Sequence, residues 1–107
     1  MRMLLKASMS VEAGNRLVRS GTLGSVMKSI LEDLKPEAAY FGAENGKRTA
    51  YLIVNVQDTS EIPGIAEPLF LALDAEIELI PLMTPQDLAN GGPGIEKAAK
   101  KYGSAGR

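Results

Sequence analysis

Apolar side chains alternate with polar ones at the start of the chain. Met3, Leu5, Ala7 and Met9 fall on one parity, and Lys6, Ser8 and Ser10 on the other. That period of two predicts a strand over residues 2–10 with one buried face. From Val11 to Leu34 the period lengthens. Leu23, Val26, Met27, Ile30, Leu31 and Leu34 recur at three and four, the stripe of a helix packed on a core. The helical stretch has a weak point at Ser20-Gly21-Thr22, and Pro36 stops it by disfavouring helical geometry at Lys35.

The stretch "AAYFGAENGKRTAYLIVNV", residues 38–56, reads as a hairpin. A polar turn, Glu44-Asn45-Gly46-Lys47, separates two apolar runs, and Gly46 supplies the positive φ of a tight turn. In the second run Leu52, Val54 and Val56 make an aliphatic face, and Tyr51, Ile53 and Asn55 a mixed one. Asp58-Thr59-Ser60 signals a loop and an N-cap. Ile62, Ile65, Ala66, Leu69, Phe70 and Leu73 make a second helical stripe, with Pro63 suited to a first turn and Pro68 an interior breaker. Residues 77–83 read as a last strand, where Pro81 requires an edge position or a bulge. Thr84-Pro85-Gln86-Asp87 is a capping box opening a short helix. Asn90-Gly91-Gly92-Pro93-Gly94 breaks that helix, a final helix runs from Ile95 to Tyr102, and residues 103–107 are expected to fray.

The order is β-α-β-β-α-β plus extra C-terminal helix, which predicts an α+β fold of ferredoxin-like type. In that arrangement a four-stranded antiparallel sheet carries its helices on one face and leaves the other bare. A solvated face calls for polar residues at alternate positions. Here the third strand offers Tyr51 and Ile53, and the first Leu4 beside Lys6. The second has Tyr40 on one parity and Phe41 on the other. The last is apolar on both parities, with Ile77, Leu79 and Met83 on one and Ile80 and Leu82 on the other. A monomer rarely tolerates a large exposed apolar patch. A second copy packed sheet on sheet is the simplest cover.

The 107 residues make one domain large enough to hold a core. Cysteine and histidine are both absent, which excludes disulfides, thiol catalysis, zinc–thiolate sites and imidazole chemistry. Acid–base work would fall to Asp, Glu, Lys or Tyr, and no metal is expected. Charge is segregated. Residues 1–48 hold eight Lys/Arg against five Asp/Glu, residues 49–96 hold eight acids and no base, and residues 97–107 hold four bases and no acid. The net charge of −1 argues against non-specific nucleic-acid binding. Lys6 cuts the N-terminal apolar run too early for a signal peptide, and no run approaches a membrane span. A cytoplasmic protein with no membrane partner is expected.

"LKPEAAYF", "NGKRTAYLIVNV", "IPGIAEPLF" and "AEIELIPLMTPQDL" together resemble a group of small bacterial proteins of unassigned role in the dimeric α+β barrel superfamily. The resemblance covers nearly the whole chain. It implies two ferredoxin-like subunits with their sheets packed together and a small-molecule pocket. The superfamily includes muconolactone isomerase, cofactor-independent monooxygenases and haem enzymes. Without histidine the haem branch does not fit, and no cofactor is expected. No enzyme motif matches, so no catalytic residue carries over.

Lys6, Ser8, Tyr51, Asn55 and Glu78 are candidates to point into the space between two sheets. A ligand or a symmetry mate would satisfy them, and an ion pair of Lys6 with Glu78 of either chain is one such solution. Tyr40 and Arg48 flank the hairpin, a potential proton donor and a potential carboxylate clamp. The candidate ligand-binding set is therefore Lys6, Tyr40, Arg48, Tyr51, Asn55 and Glu78. Gly14-Asn15 and Gly21 to Gly24 lack the Gly-Lys-Ser/Thr ending of a phosphate loop. Gly91-Gly92-Pro93-Gly94, before a helix N-terminus where an anion could bind, reads first as a connection between two short helices. RNA recognition needs exposed aromatics on central strands, and Tyr51 stands alone there. Two functions stay open at this level. One is a homodimer binding a small apolar or aromatic molecule, as a cofactor-free isomerase- or monooxygenase-like enzyme or as a binder. The other is a non-catalytic assembly module. Pairing of dimers into a larger oligomer stays open too.

Overall fold

A computed structural model describes residues 1–104. The final part of the tail expected to fray, residues 105–107, lies outside the described residues. Strand β1 (Arg2–Met9) leads into helices α1 (Val11–Arg19) and α2 (Leu23–Leu34). The hairpin of β2 (Ala38–Glu44) and β3 (Lys47–Asn55) follows, then α3 (Ile62–Leu73) and β4 (Ala75–Pro81). Helices α4 (Pro85–Asn90) and α5 (Gly92–Tyr102) end the fold.

The four strands form one antiparallel sheet in the order β2-β3-β1-β4. The segregation of side chains follows the pleat. Met3, Leu5, Ala7 and Met9 of β1 and Ala50, Leu52 and Val54 of β3 are buried on one face. Ile30 of α2 and Leu69 and Leu73 of α3 complete that core, with Leu17 of α1 packed against it. Leu5, Leu52, Leu69 and Leu73 are fully enclosed. All three helices thus lie on one side, and the opposite sheet face carries none of the core.

The breaks between elements have local causes. Ser10 accepts a hydrogen bond from the Ala13 N–H and caps α1. Gly21, at φ +71°, separates α1 from α2, and Lys35, at φ 47° before Pro36, ends α2. Asn45 (φ 54°) and Gly46 (φ 75°) form the two-residue hairpin turn with both residues left-handed, the geometry that matches the twist of the strands it joins.

Two boundaries differ from the sequence expectation. The last strand runs two residues earlier, because Asp74, in the left-handed region at φ 48°, ends α3 and Ala75 pairs at once with Met9. Met83 consequently lies outside the strand, 71% exposed. The glycine-rich break is a single residue, Gly91, since Gly92-Pro93-Gly94 forms the first turn of α5 with proline where its missing N–H is harmless. Pro81 ends the edge strand, as its chemistry requires.

Helix α5 contains no buried residue. The molecule measures 59 × 31 × 21 Å. Strands of seven to nine residues span only about 30 Å at most. The C-terminal helices therefore extend the long axis well past the sheet.

Candidate functional site

The register places side chains of the helix-free face in rows across the sheet. Tyr40, Tyr51, Lys6 and Glu78 form one row. Ala38, Ile53, Leu4 and Ile80 form the row on one side of it, and Gly42, Thr49, Ser8 and Glu76 the row on the other. Four of the six candidate residues from the sequence thus share a single row.

The polar groups of this face are organised by a residue that pattern reading left in the turn. Glu44 receives the Tyr51 hydroxyl at 2.9 Å and pairs with the Lys6 ammonium at 2.5 Å. The Tyr51 ring passes beside Gly42, at the ordinary contact distance of 3.7 Å from where a Cβ there would stand. Lys6 therefore pairs within its own chain with Glu44, and Glu78, although in register beside it, makes no salt bridge to it among the described residues.

The electrostatics follow from this pairing. The hydrogen bond to Glu44 raises the Lys6 pKa above its usual value, with Glu44 and then Glu78 adding attraction. Lys6 and then the Tyr51 hydroxyl lower that of Glu44. Tyr51 is raised, chiefly because its hydroxyl donates to a carboxylate. At neutral pH the trio is thus ammonium, carboxylate and neutral phenol. Each group is moved away from neutrality, the reverse of the tuning that a general acid or base requires. Ser8 and Thr49 share a hydrogen bond of 3.1 Å in the neighbouring row.

Arg48 and Asn55 stand apart from this cluster. Asn55 lies at the far end of the face, where its side-chain oxygen accepts from the Met1 ammonium at 2.9 Å. Arg48 has the parity of Leu52 and Val54 and lies on the helix side. Its guanidinium rests against Gly14 of α1, and Nη1 donates to Asn15 Oδ1 at 3.2 Å. The candidate set therefore divides between the two faces.

On that helix side lies a cavity of about 400 Å³. Ala7 and Met9 of β1, Leu23 and Met27 of α2, Phe41 of β2 and Leu73 of α3 line most of it, and Arg48 reaches it from β3. Phe41, on the edge strand β2, is 57% exposed at this cavity. Sequence periodicity finds Ala7, Met9, Leu23, Met27 and Leu73 as core-face positions. It gives no sign of the gap between them. A second cavity of about 410 Å³, at the end of the sheet, is lined by Met1, Arg2, Glu37, Asn55, Leu82 and Asp87. Its charges are already engaged, with Arg2 Nε on Glu37 at 2.9 Å and the Met1 ammonium on Asn55.

Among the described residues no cluster of three or more acidic side chains is placed to hold a metal ion, and no helix is long and apolar enough to cross a membrane. No model of a known protein family matches the chain, and no curated protein matches it.

Proposed function

We propose that the protein is a ferredoxin-like homodimer that binds a small apolar molecule in the sheet–helix cavity, its two subunits packing their helix-free sheet faces together as in a dimeric α+β barrel. The cavity is the observation that carries this reading. Its volume of about 400 Å³ falls within the roughly 300–1,000 Å³ usual for small-molecule sites, and its walls are mostly aliphatic with few polar groups. The antiparallel order β2-β3-β1-β4 with three helices on one face supports the ferredoxin-like assignment. The apolar row of Ala38, Ile53, Leu4 and Ile80 supports a subunit contact.

The pKa directions on the open face favour binding over proton transfer by Lys6, Glu44 and Tyr51. The test is a titration of the full chain with naphthalene and octanol, followed by methionine and leucine methyl NMR. Shifts centred on Met9, Met27, Leu23 and Leu73 are expected. Unchanged spectra at millimolar probe would remove the binding function.

The second reading, an assembly module without ligand, is favoured by exposed apolar side chains outside the cavity. Tyr40 on the sheet and Leu88, Ile95 and Tyr102 on α4 and α5 are more than half exposed. A self-associating chain whose cavity methyls ignore both probes would support it.

A further inference from the structure

Arg48 gives the cavity a chemical preference, and the inference rests on the binding reading above. We propose that the cavity takes a small amphipathic monocarboxylate, with its hydrocarbon part among Met9, Leu23, Met27 and Leu73 and its carboxylate on the Arg48 guanidinium.

Two arginines are in ion pairs, whereas Arg48 and the exposed Arg19 are in none among the described residues. Arg2 holds Glu37, and Arg16 holds Asp74 and Glu12. Arg48 has no carboxylate within 4.0 Å among the described residues, and its hydrogen-bond partner there is the neutral Asn15 amide. It is half-buried, and none of the residues lining the cavity is acidic. A guanidinium in such a place is short of the anion that its planar fork of donors is built to receive.

A second feature adds to the positive potential. Leu23 and Gly24, the first two residues of α2, line the same cavity. Thr22, at the N-cap, makes no side-chain cap, because its hydroxyl is engaged with Ser20 and the Leu17 carbonyl. The helix thus brings the positive end of its dipole, without a capping side chain, to the cavity wall. One guanidinium and one helix end suit a single negative charge, and the apolar walls suit a hydrocarbon body. The Asn15 contact orients the guanidinium, and Gly14 makes room for it. A Cβ at Gly14 would stand 2.6 Å from Arg48 Nη1.

The test compares acids with their amides on the full chain. Octanoate and octanamide probe a flexible body, and 3-phenylpropionate and 3-phenylpropionamide an aromatic one. Methyl NMR at Met27 and Leu23 reports occupancy. At least one acid is expected to bind about tenfold or more tightly than its amide, since a hydrogen bond to a charged group is worth more than a neutral one. Arg48→Gln should erase that preference by weakening the acids far more than the amides, and Arg48→Lys should restore part of it. Equal binding of acid and amide by the wild-type chain overturns the carboxylate assignment and leaves the apolar site standing. Failure of all four probes to move the cavity methyls overturns both.

Discussion

Glu44, at the end of β2, ties its strand to one that is not its neighbour, since its carboxylate meets Tyr51 on the adjacent β3 and also reaches Lys6 on β1. The sign of its contribution follows from its lowered pKa. The stabilisation is present above the ordinary carboxylate value of 4.5 and is lost as pH falls through the lower folded value. Glu44→Gln keeps an acceptor for Tyr51 but removes the charge. The melting-temperature gap between wild type and this variant should therefore be open at pH 6 and narrow toward pH 3. A gap independent of pH would mean that Glu44 acts through packing alone. Asp58 and Asp87, also lowered by their capping bonds, titrate in both proteins and cancel in the comparison. Gly14 and Arg48 offer a second residue-level test. Alanine in place of a helical glycine ordinarily stabilises by about 0.5–1 kcal/mol. At Gly14 that gain should appear in full only in an Arg48→Ala background, where the 2.6 Å clash is gone. A double-mutant cycle by urea denaturation checks it, and additive effects would place the guanidinium elsewhere. Half of this chemistry was legible beforehand. Period two puts Lys6 and Tyr51 on one face, and Arg48 shares the parity of Leu52, so its helix-side position was readable. Glu44 was not, because it reads as part of the polar turn and its partner Lys6 lies two strands away in the sheet.

At the scale of elements, the parts readable from sequence are those whose causes are local. The hairpin is fixed by Asn45 and Gly46, whose backbones both have positive φ. Gly46→Val should destabilise by about 1–2 kcal/mol, the cost of forcing a side chain into the left-handed region. Gly24→Ala, in helix α2 with open space around its added carbon, should shift stability the other way by up to about 1 kcal/mol. Chemical denaturation of the two variants separates the mechanisms, since turn strain and helix propensity then carry opposite signs. The alternation of β1 and the stripes of α2 and α3 were equally plain, because each has one buried face. Strand β4 was blurred for a physical reason. Its segment is apolar on both parities, so period alone cannot choose a start, and a left-handed Asp74 decides it. The Gly91–Gly94 run misled because glycine content signals a break, whereas Pro93 in a first turn nucleates the next helix.

At the scale of the molecule, the helix-free face sets the unsolved contact. Alternate polar residues were expected to be missing there, but the face is mixed. Lys6, Ser8, Glu76 and Glu78 stand on it beside Leu4, Ile53, Ile80 and Ala38. Ile77 and Leu79, which made the last strand look apolar on both sides, turn toward the helices and pack on the core. The apolar side chains are therefore concentrated at one end of the face, in the row next to Tyr40 and Tyr51. Ile53 sits inside that row, between Ala38 and Leu4, and is half-buried within the single chain. A charge there would spoil a sheet-to-sheet contact without touching the helix-side core, because its side chain points away from Leu52 and Val54. If the proposed dimer forms, wild-type protein at micromolar concentration should sediment at twice the 11.4 kDa chain mass. Ile53→Glu should sediment at the single-chain mass with an unchanged far-ultraviolet circular dichroism spectrum. Leu71→Glu, on α3 and 79% exposed on the opposite side, should leave the wild-type mass intact. A wild-type chain that sediments alone would dispose of the sheet-to-sheet dimer. The proposed carboxylate site, formed by β1, β3, α2 and α3, would then stand or fall on its own, since every residue assigned to it comes from one chain.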